Sequence, residues 1–226
     1  LLSPERLNVE AIYAAPFYND RSTGPKDGME RSYNEIVRLL GKIRRVPEGL
    51  VHRGADQFMP GPDTPVDSPA VQDLIHRAMA REEGDLLYVC AIAACTNIAS
   101  ALLLEPRIAH KIAVVWLGGH VLAYPTAEEF NLSQDLHASR VLTLVPCRGV
   151  ASHLLTSVPE LQSCIGGKNA LCDALIELFS AYHPDHFAWG KEIWDVSTVA
   201  WLLNPEWVPT RLVHSPLLTD DSHWAH

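Results

Sequence analysis

The 226-residue sequence is short of positive charge. Its 18 Lys and Arg stand against 27 Asp and Glu, a formal net charge of −9. Nucleic-acid and anionic-membrane surfaces are built from clustered Lys and Arg, so neither partner is expected. No apolar run approaches the roughly 18–20 residues that span a bilayer. The five cysteines (Cys90, Cys95, Cys147, Cys164, Cys172) are odd in number, scattered and mostly set in apolar segments. That distribution points to reduced thiols in a cytoplasmic protein rather than a disulfide framework. There is no G-x-S-x-G elbow for a Ser nucleophile. Glycines and a lysine at 23–28 lack phosphate-loop spacing. His183-Pro184-Asp185-His186 has no Cys or further His at zinc spacing. Internal repeats and low-complexity tracts are absent as well.

What is present suits a soluble globular chain: 47% apolar and 20% charged residues, read as one domain over 1–226. The chain opens on Leu1-Leu2-Ser3-Pro4, without an initiator Met or a charged leader. Leu-Leu before Ser-Pro reads as the last turn of a helix begun upstream, so a preceding segment is expected.

Strand and helix signals alternate. A candidate strand over 7–15 ends at Pro16, and turn formers fill 17–28. Apolar residues recur at helical spacing over 29–43. Three prolines and two glycines make 51–67 an irregular loop. Ser68 caps a helix over 69–82, with Pro69 in the first turn. The apolar run 86–93 is typical of a parallel strand covered on both faces. A helix from Thr96 or Asn97 runs to Leu104, and a strand follows over 113–117. Further helices are expected over 136–142, 149–157, 168–182 and 195–203, with a strand over 141–146 and an extended tail from 207. Alternation of this kind predicts an α/β fold: a doubly wound, mainly parallel sheet flanked by helices, with a Rossmann-like core.

Ligands of such sheets sit beyond the carboxyl ends of the strands, which singles out three constellations. Thr96-Asn97 follows the 86–93 strand and reads either as a helix cap or as a site element. Glu129-Phe130-Asn131 follows the 113–117 strand and Gly118-Gly119, ahead of a helix cap at Asp135. If that segment is extended, Glu129 and Asn131 share one side, suited to adjacent sugar hydroxyls, while Phe130 turns into the core. A solvated loop Glu is the plainer account. Asp195 opens an apolar helix, either as its cap or as a ligand to a hard cation. His120, directly after the glycine pair, is well placed for a pocket.

In this order, Cys95-Thr96-Asn97-Ile98-Ala99, Leu117-Gly118-Gly119 with Ala127-Glu128-Glu129-Phe130-Asn131, and Trp194-Asp195-Val196-Ser197-Thr198-Val199-Ala200 resemble the nucleoside hydrolases. These are the calcium-dependent, inosine–uridine-preferring N-ribohydrolases. The junction Ala15-Pro16-Phe17-Tyr18-Asn19 resembles their first strand–loop junction, so the likeness spans nearly the whole chain.

The resemblance implies Ca²⁺ held by the Asp195 carboxylate and the Thr96 carbonyl. It implies ribose hydroxyls held by Glu129 and Asn131, with Asn19 near the reacting carbon; His120, by its place after the glycine pair, is a candidate liner of the substrate pocket. It also implies hydrolysis of a ribonucleoside to ribose and base, on a homo-oligomer (dimer or tetramer). The sequence departs from the family in three places. The aspartate motif D-x-D-x-x-x-D-D, which supplies most calcium ligands and the general base, would lie before Leu1. Trp194 stands where many members have a histidine, so stacking on an aromatic leaving group is implied instead. Ala123-Tyr124 replaces a usual Gly-Asn, removing one ribose contact. The alternative is a catalytically inactive member that binds a riboside or a protein partner.

Overall fold

The computed structural model describes residues 1–142, 154–183, 185 and 189–225. Most of the expected strand over 141–146 and of the expected helix over 149–157 lies outside them; Val141, expected in that strand, is instead the last residue of a helix. Within the described residues the fold is α/β, with helices packed about four short strand pairs, two parallel and two antiparallel.

β1 (Ile12–Tyr13) and β2 (Val51–His52) pair in parallel, as do β3 (Leu87–Ala91) and β4 (Ile112–Trp116), in register from Leu87 opposite Ile112 to Ala91 opposite Trp116. Between β1 and β2 runs α1 (Pro25–Lys42), and α2 (Pro69–Met79) precedes β3. Ser68 accepts the Val71 N–H as the expected cap of α2. α3 (Thr96–Leu104) joins β3 to β4 through a 3₁₀ turn at Pro106–His110. Two apolar clusters hold this half together. Val71, Leu74 and Ala78 of α2 meet Ile98 and Ala101 of α3 over Ile112 in one. Trp116 anchors the other, among Ala55, Met59, Cys95, Ala99, Ala127, Leu132 and Ala138.

Beyond β4 come α4 (Phe130–Gln134), α5 (Leu136–Val141), α6 (Val158–Ile165), α7 (Ala170–Ser180) and α8 (Val196–Leu203). β5 (Leu155–Thr156) pairs antiparallel with β6 (Lys191–Glu192), and β7 (Leu217–Leu218) with β8 (Trp224–Ala225).

Several expectations are revised. The first strand is confined to Ile12–Tyr13 because only these residues meet a partner, β2, inside the segment read as loop. Leu155–Thr156 is strand rather than helix, and the tail folds back as a hairpin. Near the start, Arg6 and Leu7 donate to the Ser3 carbonyl, so the turn follows Leu1-Leu2 rather than containing it. Among the described residues no ladder joins the two parallel pairs. Asn97 links them instead. Its Nδ2 donates to the Ala14 carbonyl at 2.9 Å and its Oδ1 accepts the Ala55 N–H at 2.8 Å, joining the head of α3 to the ends of β1 and β2. Gly54 is required there, since a Cβ would lie 2.0 Å from the Ala14 carbonyl oxygen.

Candidate functional site

Polar side chains follow the carboxyl ends of the four parallel strands, several of them fixed by a hydrogen bond to a strand end or a helix start. At the end of β4, Trp116 donates from Nε1 to the Ala93 carbonyl and Asn131 donates from Nδ2 to the Leu117 carbonyl, both at 2.8 Å. Gly119 turns the chain at φ +74°, a conformation that favours glycine. Its N–H meets Glu129 Oε2 at 3.1 Å.

The same oxygen accepts the N–H groups of Asn131 and Leu132 at 3.0 and 3.2 Å, so Glu129 caps α4. This corrects the reading of 129–131 as extended. The helix begins at Phe130, which is half exposed instead of turned into the core, and Glu129 and Asn131 are fixed by helix-start geometry. Among the described residues the hydrogen bonds to the Glu129 carboxylate fall on Oε2, leaving Oε1 for another partner.

Asp195 stands at the head of α8, yet its side chain makes no capping bond and its backbone is already helical. The residue is exposed overall, yet the protein around its carboxyl takes water from it. That loss of water, and then the charge of Glu129, push its proton affinity above the ordinary aspartate value, while Lys191 pulls the other way. The late helix and the loop after β4 thus present two like charges to one region. Trp194, beside Asp195, is substantially exposed, and Lys191 Nζ lies 5.1 Å from its ring centre and 4.5 Å from that of Tyr182.

Thr96, fully buried in the first turn of α3, donates its hydroxyl to Asp135 Oδ2 at 2.7 Å. The cap of α3 is Cys95, so neither Thr96 nor Asn97 has the capping role. Asn19 lies in the loop after β1, its Oδ1 accepting the Arg21 N–H at 2.9 Å. That loop reaches the others on two sides. Tyr18 N–H donates to Gln134 at the end of α4, and the Arg21 guanidinium lies 5.8 Å from the Tyr182 ring centre. His120 is buried edge-on to Tyr124, with ring centres 4.8 Å apart, and its carbonyl accepts from Trp224 of β8. Two contributors escaped the sequence reading. Asp135 does more than cap α5, and Lys191 lies between Tyr182 and Trp194 with only an isolated loop lysine as its signal.

As to a metal, the donor chemistry of Asp195 and a backbone carbonyl suits a hard cation, which takes oxygen ligands. The donor number is short of a complete shell. Among the described residues no group of three or more His, Cys, Asp or Glu could hold a metal ion.

The fold, with amides and carboxylates converging beyond parallel strand ends, defines an α/β protein of nucleoside-hydrolase architecture. Similar solved structures include an inosine-guanosine nucleoside hydrolase, at 16% identity over 86% of this chain and 74% of that one, TM-score 0.63. A purine-preferring ribonucleoside hydrolase from Gardnerella vaginalis matches at 21% identity over 84% and 72%, TM-score 0.60. An inosine-uridine preferring nucleoside hydrolase from Bacillus anthracis matches at 18% over 90% and 66%, TM-score 0.55. No curated protein matches the sequence. A model of the inosine-uridine preferring nucleoside hydrolases matches residues 21–222, and the chain belongs to that family.

Proposed function

We propose that the protein hydrolyses the N-glycosidic bond of a ribonucleoside, giving ribose and the free base, with Ca²⁺ assisting the attacking water. The observation that carries this reading is the Glu129–Asn131 pair fixed at the end of β4, Glu129 Oε2 by the N–H groups of Gly119, Asn131 and Leu132 and the Asn131 amide by the Leu117 carbonyl, in a chain whose residues 21–222 match the family. The negative charge of Glu129 also acts on Asp195 of the late helix. Unrelieved like charges cost stability, and hydroxyl donors or a cation between them remove the cost.

In this reading Glu129 Oε1 accepts a ribose hydroxyl while Oε2 keeps the carboxylate aimed through its three N–H donors. Asn131 lines the same side, its amide held by Leu117. Asn19 faces the reacting carbon, Trp194 stacks on the departing base, and His120 closes the pocket wall. Asp195 and the Thr96 carbonyl would hold the cation, which when bound supplies the Lewis acidity that eases deprotonation of water. The remaining donors and the general base are assigned to an aspartate cluster preceding Leu1. The whole chain acts as one domain, as a cytoplasmic homo-oligomer (dimer or tetramer).

The test is nucleoside hydrolysis by the full gene product with and without Ca²⁺. Asp195→Ala is expected to abolish turnover, and a variant that keeps the parent rate overturns the assignment. The shortage of carboxylate donors among the described residues favours one other reading, a riboside-binding protein without turnover, which the same assay separates by showing binding alone.

A further inference from the structure

Asp135 lies outside the residues assigned to sugar or metal, yet it joins more distant parts of the chain than any of them. It is 3% exposed. Its Oδ1 accepts the Ala138 N–H at 3.0 Å, which is the cap of α5. Its Oδ2 accepts the Thr96 hydroxyl at 2.7 Å and the Met59 N–H at 2.9 Å. Loops following β2, β3 and β4 therefore meet on one carboxylate.

A helix cap requires a single acceptor, and Ser, Thr or Asn would serve. Here both oxygens face donors, so an amide would set its NH₂ against an N–H or O–H. Burying the charge is tolerated because three donors surround it. The linkage continues on the far side. Ser139 Oγ donates to the carbonyls of Asp135 and Leu132 at 2.8 and 3.0 Å, and the Leu132 N–H is one of the three held by Glu129 Oε2. An unbroken path runs from Thr96 through Asp135, Ser139 and Leu132 to Glu129.

We propose that Asp135 is a positioning residue: by gripping the Thr96 hydroxyl it sets the first turn of α3 against the α4–α5 junction, and so fixes the spacing between Thr96 and the Glu129–Asn131 pair across which a riboside is held. The riboside part rests on the function proposed above, whereas the clamp rests on its own hydrogen bonds.

The test uses the full chain with Thr96→Val, which keeps the shape and removes the donor, Thr96→Ser, which restores the donor, and Asp135→Asn. Amide hydrogen exchange is read at Met59 and Leu132, with Leu74 of α2 as control, and inosine kinetics are read alongside. Thr96→Val and Asp135→Asn are expected to speed exchange about tenfold or more at both amides but not at Leu74. They are also expected to raise KM for inosine about tenfold with a smaller change in kcat, and Thr96→Ser is expected to return both readouts to within about threefold of the parent. Should Asp135→Asn fail to fold, the two Thr96 variants decide. Exchange that rises equally in α2, or that leaves Leu132 unaffected, overturns the clamp. An unchanged KM beside faster exchange at Met59 and Leu132 overturns the link to the riboside. A parent that neither binds nor hydrolyses inosine overturns the proposed function, and the exchange comparison then decides the clamp alone.

Discussion

Glu129 can serve structure and, in the proposed function, a ligand: one carboxylate oxygen is bound to three backbone donors, and the other meets no donor among the described residues. Glu129→Gln exchanges an anionic acceptor for a neutral group that must point its NH₂ one way. A hydrogen bond to a charged group contributes about 1.5–3 kcal/mol, so kcat/KM for a nucleoside should fall roughly 10–150-fold, through a higher KM and a lower kcat. An unchanged kcat/KM would remove Glu129 from the site. Asp195 yields a prediction about pH. Burial and Glu129 raise its proton affinity in the folded chain, so the unfolded chain releases that proton first as pH rises. Over that window the folded state binds more protons, and stability falls with rising pH. Asp195→Asn removes this loss. With EDTA present, thermal melts should show the variant more stable than the parent at neutral pH, the difference closing below the ordinary aspartate range. A constant difference at every pH would contradict the assigned cause. Both residues were recognisable in the sequence as a strand-end Glu and a helix-start Asp. Their mutual approach was not, because 66 positions separate them.

At the scale of elements, helices were easier to anticipate than strands. α1 and α2 follow the spacing of their own apolar residues, and the Ser68 cap is a bond between near neighbours. β2 went unrecognised among prolines because a two-residue strand exists only through its partner. Elements here are joined by single side chains, Asn97 above all. Asn97→Ala leaves the Ala14 carbonyl and the Ala55 N–H without this partner in the interior. Each such loss costs about 1–3 kcal/mol, so urea unfolding should show a loss of roughly 2–6 kcal/mol with the m-value preserved. A change within about 0.5 kcal/mol would mean that water replaces the amide at little cost.

Across the whole molecule, Trp116 ties the fold to the site. It is fully buried in the cluster that also contains Ala55, Met59, Cys95 and Leu132, and its indole N–H holds the Ala93 carbonyl after β3. Trp116→Ala should cost about 3–5 kcal/mol, measured by chemical unfolding. Trp116→Phe should recover most of that while still lacking the Ala93 bond. Equal losses in the two variants would assign the whole effect to the hydrogen bond rather than the cavity.

Composition and local pattern were enough for the α/β class, the main helices and four family-like motifs, since each depends on residue type and on neighbours a few positions away. The excess of carboxylates was likewise legible without coordinates. Packing alone chose the partners. Asp135 meets Thr96 across 39 positions and Asn97 meets Ala14 across 83, and such bonds form only when strand order and helix placement bring donor and acceptor within about 3 Å. Whether a polar residue at a strand end caps a helix, joins two loops or faces a ligand is set by that geometry, because the same side chain is chemically able to do all three.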